Sequence, residues 1–181
     1  MKRIILIGYM GAGKTTIGRV LARRLNLDFF DLDWYIEDRF HKKVADIFAE
    51  SGEEGFRKIE RNMLHEAAEF ENIVLSCGGG TPCFFDNMEY MNRQGETVWL
   101  RATPEVLQQH LRMGKTKRPL IDGKTEEELD AYIRESLQTR EPFYEQAKHH
   151  IDIEPIHTHE EIESYADAIC KATGISADEE A

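Results

Sequence analysis

No apolar run in this 181-residue chain approaches the ~20 residues that a helical membrane span needs. A membrane partner is therefore not expected. Cysteine is scarce: Cys77, Cys83 and Cys170 give an odd count with no CxxC spacing. That excludes a disulfide framework and a cysteine zinc site, and it points to free thiols in a reducing cytoplasm. Positive charge is also in short supply. Lys and Arg number 23 against 34 Asp and Glu, for a net charge of −11. Nucleic-acid backbones select basic faces, so a nucleic-acid partner is not expected either. Lys2 and Arg3 precede an apolar stretch at residues 4–7. Four residues ended by a glycine are too few for a secretory signal. Internal repeats, linkers and low-complexity blocks are absent.

What remains is enough for a packed core: 41% of the residues are apolar, against 31% charged. Strand-length apolar runs at residues 4–7, 29–32, 73–77, 97–101 and 151–153 alternate with stretches of helical period at 14–25, 36–50, 54–70, 84–92, 125–144 and 159–172. Thr103 followed by Pro104 marks a further helix start, and Thr125 with Glu128 fits a capping box. Strands alternating with helices predict an α/β sandwich, a five-stranded parallel sheet flanked by helices. Residues 1–173 form one domain. The basic, glycine-containing segment 112–124 reads as a mobile lid, and the acidic tail 174–181 as disordered. Ligands of such sheets sit at the carboxyl ends of strands, here just after Ile7, Phe30, Cys77 and Arg101.

The first of these strands ends in Gly8-Tyr9-Met10-Gly11-Ala12-Gly13-Lys14-Thr15, a P-loop between an apolar strand and a helix. Backbone N–H groups and a helix N-terminus there cradle phosphate. Lys14 reaches the terminal phosphates, and the Thr15 hydroxyl ligates Mg²⁺. A neighbouring strand usually ends in a metal-holding Asp. Residues 74–78 and 99–101 contain none, whereas the second strand ends Asp31-Leu32-Asp33. Two residues apart in an extended segment, Asp31 and Asp33 share a face. One can serve the metal and the other an acceptor hydroxyl. Arg57 and Glu60 share a helical face, as do Arg140 and Tyr144, while Arg118 sits in the basic loop. The Gly78–Gly80 turn can present successive N–H groups. Candidate anion contacts in three segments beyond the P-loop point to an anionic phosphoryl acceptor, a carboxylate held by guanidinium. The pairs His149/His150 and His157/His159 lack any metal-binding frame and read as exposed.

Over about residues 2–170 the chain resembles the shikimate kinase family. The resemblance rests on the P-loop, on F-x-D-x-D-x-x-I-E at residues 29–37, and on I-F-x-x-x-G-E-x-x-F-R-x-x-E at 47–60. It rests also on S-x-G-G-G at 76–80, R-P-L at 118–120 and R-x-x-x-Y-x-x-A at 140–147. The resemblance implies a P-loop kinase sandwich with a lid and a substrate-binding segment at about 33–61. It implies transfer of phosphate from ATP to the 3-hydroxyl of shikimate, in the route to aromatic amino acids, with Mg²⁺ as cofactor. Asp33 then meets the acceptor hydroxyl, and Arg57, Gly79 and Arg140 hold shikimate. Gly11, Ala12, Gly13, Lys14, Thr15 and Thr16 bind ATP, Arg118 closes over its phosphates, and Asp31 lies near Mg²⁺ through water. A monomer is expected. Relatives often carry an arginine beside adenine after the last strand, and residues 153–156 offer none. Arg112 is the substitute candidate. The nearest rivals are a gluconate kinase or a nucleoside monophosphate kinase. A regulatory NTPase would need the NKxD motif, which is missing.

Overall fold

The computed structural model describes residues 1–114 and 121–177. Five strands form one parallel sheet: β1 (Arg3–Ile7), β2 (Asp28–Asp31), β3 (Ile73–Ser76), β4 (Glu96–Ala102) and β5 (His149–Ile153). Their order is β2-β3-β1-β4-β5. In register, Ile5 lies opposite Leu75 on one side and Thr97 on the other. Residues 4–7 and 73–76 are buried without alternation. Such strands must be covered on both faces, and helices supply the cover. The chain leaves β1 toward β2 and leaves β3 toward β4, in opposite directions across the sheet. The carboxyl ends of β1 and β3 therefore flank a crevice, the switch point where ligands bind in open parallel sheets.

Helix α1 (Lys14–Leu25) starts at this crevice and buries Ile17, Val20, Leu21 and Leu25 at helical spacing. Gly13 caps it at φ 99°, a backbone that side chains rarely adopt. Helix α2 spans Leu32–Phe40 and α3 spans Val44–Ala67. A 3₁₀ turn (Thr81–Cys83) precedes α4 (Asn87–Gln94). Then come α5 (Pro104–Met113), α6 (Glu126–Tyr144) and α7 (His159–Thr173). The expected capping box at Thr125/Glu128 is present, and Thr158/Glu161 form a second. No helix of the described residues is long and apolar enough to cross a membrane.

Several expectations are corrected. The stretch 36–50 is not one helix. His41 adopts a left-handed backbone that ends α2. The apolar period continues across it, so periodicity alone could not locate that stop. The break expected between 50 and 54 is present: Gly52 leaves helical geometry at φ 69°, ψ 179° and kinks α3 there. Asp33 is not in an extended segment. Asp31 alone is extended and caps α2, and Asp33 lies in that helix's first turn. The helix expected at 84–92 begins three residues later, after the 3₁₀ turn. Of the expected lid, Arg112 and Met113 belong to α5, and 115–120 lie outside the described residues. The start of the tail is held: Ile175 packs on the core, and the Ser176 carbonyl accepts a hydrogen bond from Lys2 Nζ at 2.6 Å. Residues 178–181 lie outside the described ones.

Candidate active site

A cavity of about 700 Å³ opens at the crevice. The P-loop, the start of α2 and the turn after β3 line it, through Gly11, Gly13, Lys14, Thr15, Thr16, Asp31, Asp33, Gly78 and Gly79. Ala12 is buried beneath the loop and does not line it. Lys14 Nζ donates to the carbonyls of Gly8 and Tyr9 at 2.8 and 2.9 Å, which folds the loop around its amine. Thr15 Oγ1 donates to Asp31 Oδ2 at 3.2 Å. Two hard oxygen donors at a phosphate cradle suit Mg²⁺, which takes few protein ligands and keeps water and phosphate oxygens for the rest. The other Asp31 oxygen accepts the Asp33 N–H at 3.0 Å and caps α2. One carboxylate thus anchors the helix that presents the next.

Asp33 faces the Gly78 turn, and a Cβ on Gly78 would lie 3.5 Å from its Oδ1. Burial, then the like charges of Asp31 and Glu60, raise its pKa from 3.8 to about 6, with Lys14 acting in the opposite sense. That is the poise of a base near neutrality.

Arg57 and Arg140 are absent from the cavity lining and flank the glycine turn instead. A Cβ on Gly80 would stand 2.5 Å from Arg57 Nη2, and one on Gly79 would stand 3.1 Å from Arg140 Nη1. A side chain at either position would push a guanidinium group aside. The expected Arg57–Glu60 pair forms at 2.8 Å, but it is no surface pair: the side chains are 13% and 2% exposed. Glu60 also accepts from Thr81 Oγ1 at 2.9 Å, and Arg57 lies 4.2 Å above the Phe84 ring. Arg140 lies over the Tyr9 ring. Tyr144, at the end of α6, donates to the Gly79 carbonyl at 2.5 Å. Among the described residues no carboxylate pairs with Arg140, although acidic groups outnumber basic ones. Trp34 stands at the cavity rim, 48% exposed, with Arg19 at 5.0 Å from its ring.

Arg112 turns away from the cavity and pairs with Glu126 at 3.0 Å. The wall on that side is made by His110, Met113, Gly114 and Ile156. Arg118 lies outside the described residues. Arg101, at the end of β4, pairs with Asp152 and takes no part. His149 contacts Glu96 and is half-buried, while His150, His157 and His159 are exposed. Sequence reasoning missed His110, although it falls three residues after Leu107 and one before Leu111 on the buried stripe of α5. A polar side chain in such a stripe needs a partner.

A profile of the shikimate kinase family matches residues 10–171. The chain belongs to the shikimate kinase family. It is 56% identical over 171 residues to the shikimate kinase of Phocaeicola vulgatus, covering 94% of this chain and 98% of that one. The crystal structure of shikimate kinase from Bacteroides thetaiotaomicron superposes with a TM-score of 0.92 at 54% identity, covering 94% and 97%. The structure of shikimate kinase from Acinetobacter baumannii in complex with shikimate superposes with a TM-score of 0.81 at 34% identity, covering 94% and 92%. The five-stranded parallel sheet with flanking helices is the P-loop kinase fold of this family.

Proposed function

We propose that the cavity binds ATP along the P-loop and shikimate between Asp33 and the Gly78–Gly80 turn. The chain catalyses ATP-dependent phosphorylation of shikimate to shikimate 3-phosphate. The observation that carries the site assignment is Arg140, half-buried beside Gly79 with no carboxylate partner among the described residues. A guanidinium so placed in an acidic protein calls for an anionic ligand, and the shikimate carboxylate supplies it. Gluconate carries a carboxylate too, so the choice of shikimate rests on the match to the shikimate kinase family over residues 10–171. Residues 1–173 act as one kinase domain, with 33–61 as the acceptor-binding segment. The chain acts as a monomer in this reading. Its free thiols suit the cytoplasm.

Phosphoryl transfer has a loose transition state, so positioning and charge neutralisation supply most of the catalysis. The backbone of Gly11, Ala12 and Gly13, with Thr16, holds the phosphates, and Lys14 neutralises the transferring group. Thr15 and Asp31 would hold Mg²⁺, which supplies further neutralisation of phosphate charge. Arg118 keeps the role that its RPL motif implies, a second cation for the transferring phosphate. Asp33 orients the acceptor hydroxyl and takes its proton. A coupled assay of ADP release with shikimate, quinate and gluconate tests the acceptor. Turnover confined to shikimate is expected, and equal turnover of gluconate would count against the site.

Two smaller effects follow. Asp33 must be ionised to accept a proton, and its pKa is raised to about 6. The kcat/KM for shikimate should therefore fall about tenfold per pH unit below pH 6. A profile flat down to pH 5 would remove Asp33 as the base. In Gly80→Ala the new Cβ collides only with the tip of the Arg57 side chain, so the fold survives while the guanidinium moves. The KM for shikimate should rise by about tenfold with little change for ATP. Steady-state kinetics with each substrate varied in turn measures this.

A further inference from the structure

The segment between the 3₁₀ turn and α4 carries two phenylalanines that the hydrophobic core does not use. Phe84 is half-buried, yet among the described residues it belongs neither to the core nor to the side chains packed against it. Phe85 is exposed. Both rings instead meet α3. Arg57 lies 4.2 Å from the centre of the Phe84 ring, and Arg61, one turn further along the helix, lies 5.8 Å from that of Phe85. Asp86 completes the seam by accepting from Arg61 Nε at 3.0 Å.

Adjacent side chains of an extended chain point to opposite sides. Phe84 is extended, at φ −121° and ψ 146°. Phe85 takes a left-handed backbone at φ 52°, which a bulky side chain rarely adopts. That conformation breaks the alternation and lets both rings reach one helix. Asn87, fully buried, pins the segment from behind. Its side chain donates to the Thr81 carbonyl at 2.9 Å, and its backbone N–H donates to the Phe84 carbonyl at 3.2 Å.

A guanidinium donates from its edge and is weakly hydrated, so a ring against one face fixes its plane without consuming a donor. Arg57 needs such a fixture. Glu60 takes Nη1 at 2.8 Å and holds one corner. Nε is buried and makes no hydrogen bond, 3.8 Å from the exposed carboxylate of Glu53. Nη2 stands at Gly80. A single hydrogen-bonded corner would let the group pivot toward Glu53 and away from the glycine turn. The Phe84 ring opposes that pivot, while the Phe56 ring stands further off at 5.3 Å. We infer that Phe84 is a positioning residue for the acceptor: it acts through Arg57, keeping the Nη2 edge on the carboxylate of shikimate, and the left-handed turn at Phe85 seats it there. The inference rests on the proposed acceptor site, in which Arg57 meets that carboxylate.

Steady-state kinetics tests it. Phe84→Leu should raise the KM for shikimate by about tenfold and leave the KM for ATP near the wild-type value. Phe84→Tyr keeps the ring and should restore the KM. Phe84→Leu should also weaken the preference for shikimate over its carboxamide, because the ring acts on the group that reads the carboxylate. Added to Arg57→Ala, the same leucine substitution should have no further effect, since no guanidinium is left to hold. Phe85→Val removes no core contact but disfavours the left-handed backbone, so it should raise the KM for shikimate in the same direction if Phe84→Leu does not fold. A KM for ATP that climbs in step would overturn the inference, as would a further rise when Phe84→Leu is added to Arg57→Ala. If Arg57→Ala raises the KM for shikimate while Phe84→Leu and Phe85→Val leave it unchanged, the role of Phe84 alone falls. If Arg57→Ala itself leaves that KM unchanged, the acceptor site is misassigned and the inference falls with it.

Discussion

Asp33→Asn should cut kcat by about 10²- to 10⁴-fold, the range for loss of a general base, while ATP affinity stays near the wild-type value. The side chain keeps its shape and its place in α2, and Asp31 still caps that helix and reaches Thr15. Only the proton acceptor is gone. The same substitution should raise stability at pH 8. A carboxyl whose folded pKa lies above its unfolded value favours the fold only while protonated. For Asp33 that benefit is complete below about pH 4 and is lost as pH rises through about 6. At pH 8 it is an ionised group in a poorly hydrated place beside Asp31 and Glu60. A rise from 3.8 to about 6 corresponds to at most roughly 3 kcal/mol. Some of that is returned when the attraction to Lys14 disappears. The Tm should therefore increase by several degrees at pH 8 and by less at pH 5. Nucleotide affinity that collapses along with kcat would sink the assignment of Asp33 as the base.

Arg57→Ala and Arg140→Ala should each raise the KM for shikimate by roughly 30-fold to several-thousand-fold, with little change for ATP. Truncating one member of a desolvated, hydrogen-bonded charge contact costs on the order of 2–5 kcal/mol. An exposed ion pair would cost under about 1 kcal/mol. The two variants should differ in stability. Arg57 neutralises the buried Glu60, so its removal strands a carboxylate that is 1% exposed. Arg140 has no such obligation to the fold, and Arg140→Ala is the cleaner probe of binding. The carboxamide analogue of shikimate should be a poor substrate for the wild type, and the arginine variants should discriminate against it less. Normal shikimate kinetics in Arg140→Ala would show that the anion is held elsewhere.

The sheet could be read from the chain because both physical signals were strong. Residues 4–7 and 73–76 are unbroken apolar runs, and the P-loop joins a strand to a helix by chemistry that leaves little choice. Helix boundaries were less readable. The stop at His41 depends on a non-glycine residue taking a left-handed backbone, and nothing local in the sequence demands that. In the site, Lys14, Thr15, Asp31 and Asp33 carried their own signal through type and spacing. Arg57 and Arg140 could be nominated, but only the fold reveals that they meet across Gly79 and Gly80. His110 went unnoticed because its two partners, the Gly11 carbonyl and the Ile156 N–H, are backbone groups 99 and 46 residues distant in sequence. Backbone groups leave no mark on residue type.

The placement of the two tryptophans gives this protein an optical property. Trp99 is 4% exposed within β4, whereas Trp34 stands 48% exposed at the rim of the cavity. One indole is sealed from solvent and the other is wetted beside the substrates. Filling the cavity changes the water around Trp34 alone, so its emission should shift in wavelength and intensity on occupancy while Trp99 contributes a steady background. The unlabelled protein thus carries its own fluorescent gauge, and Trp34→Phe should silence it.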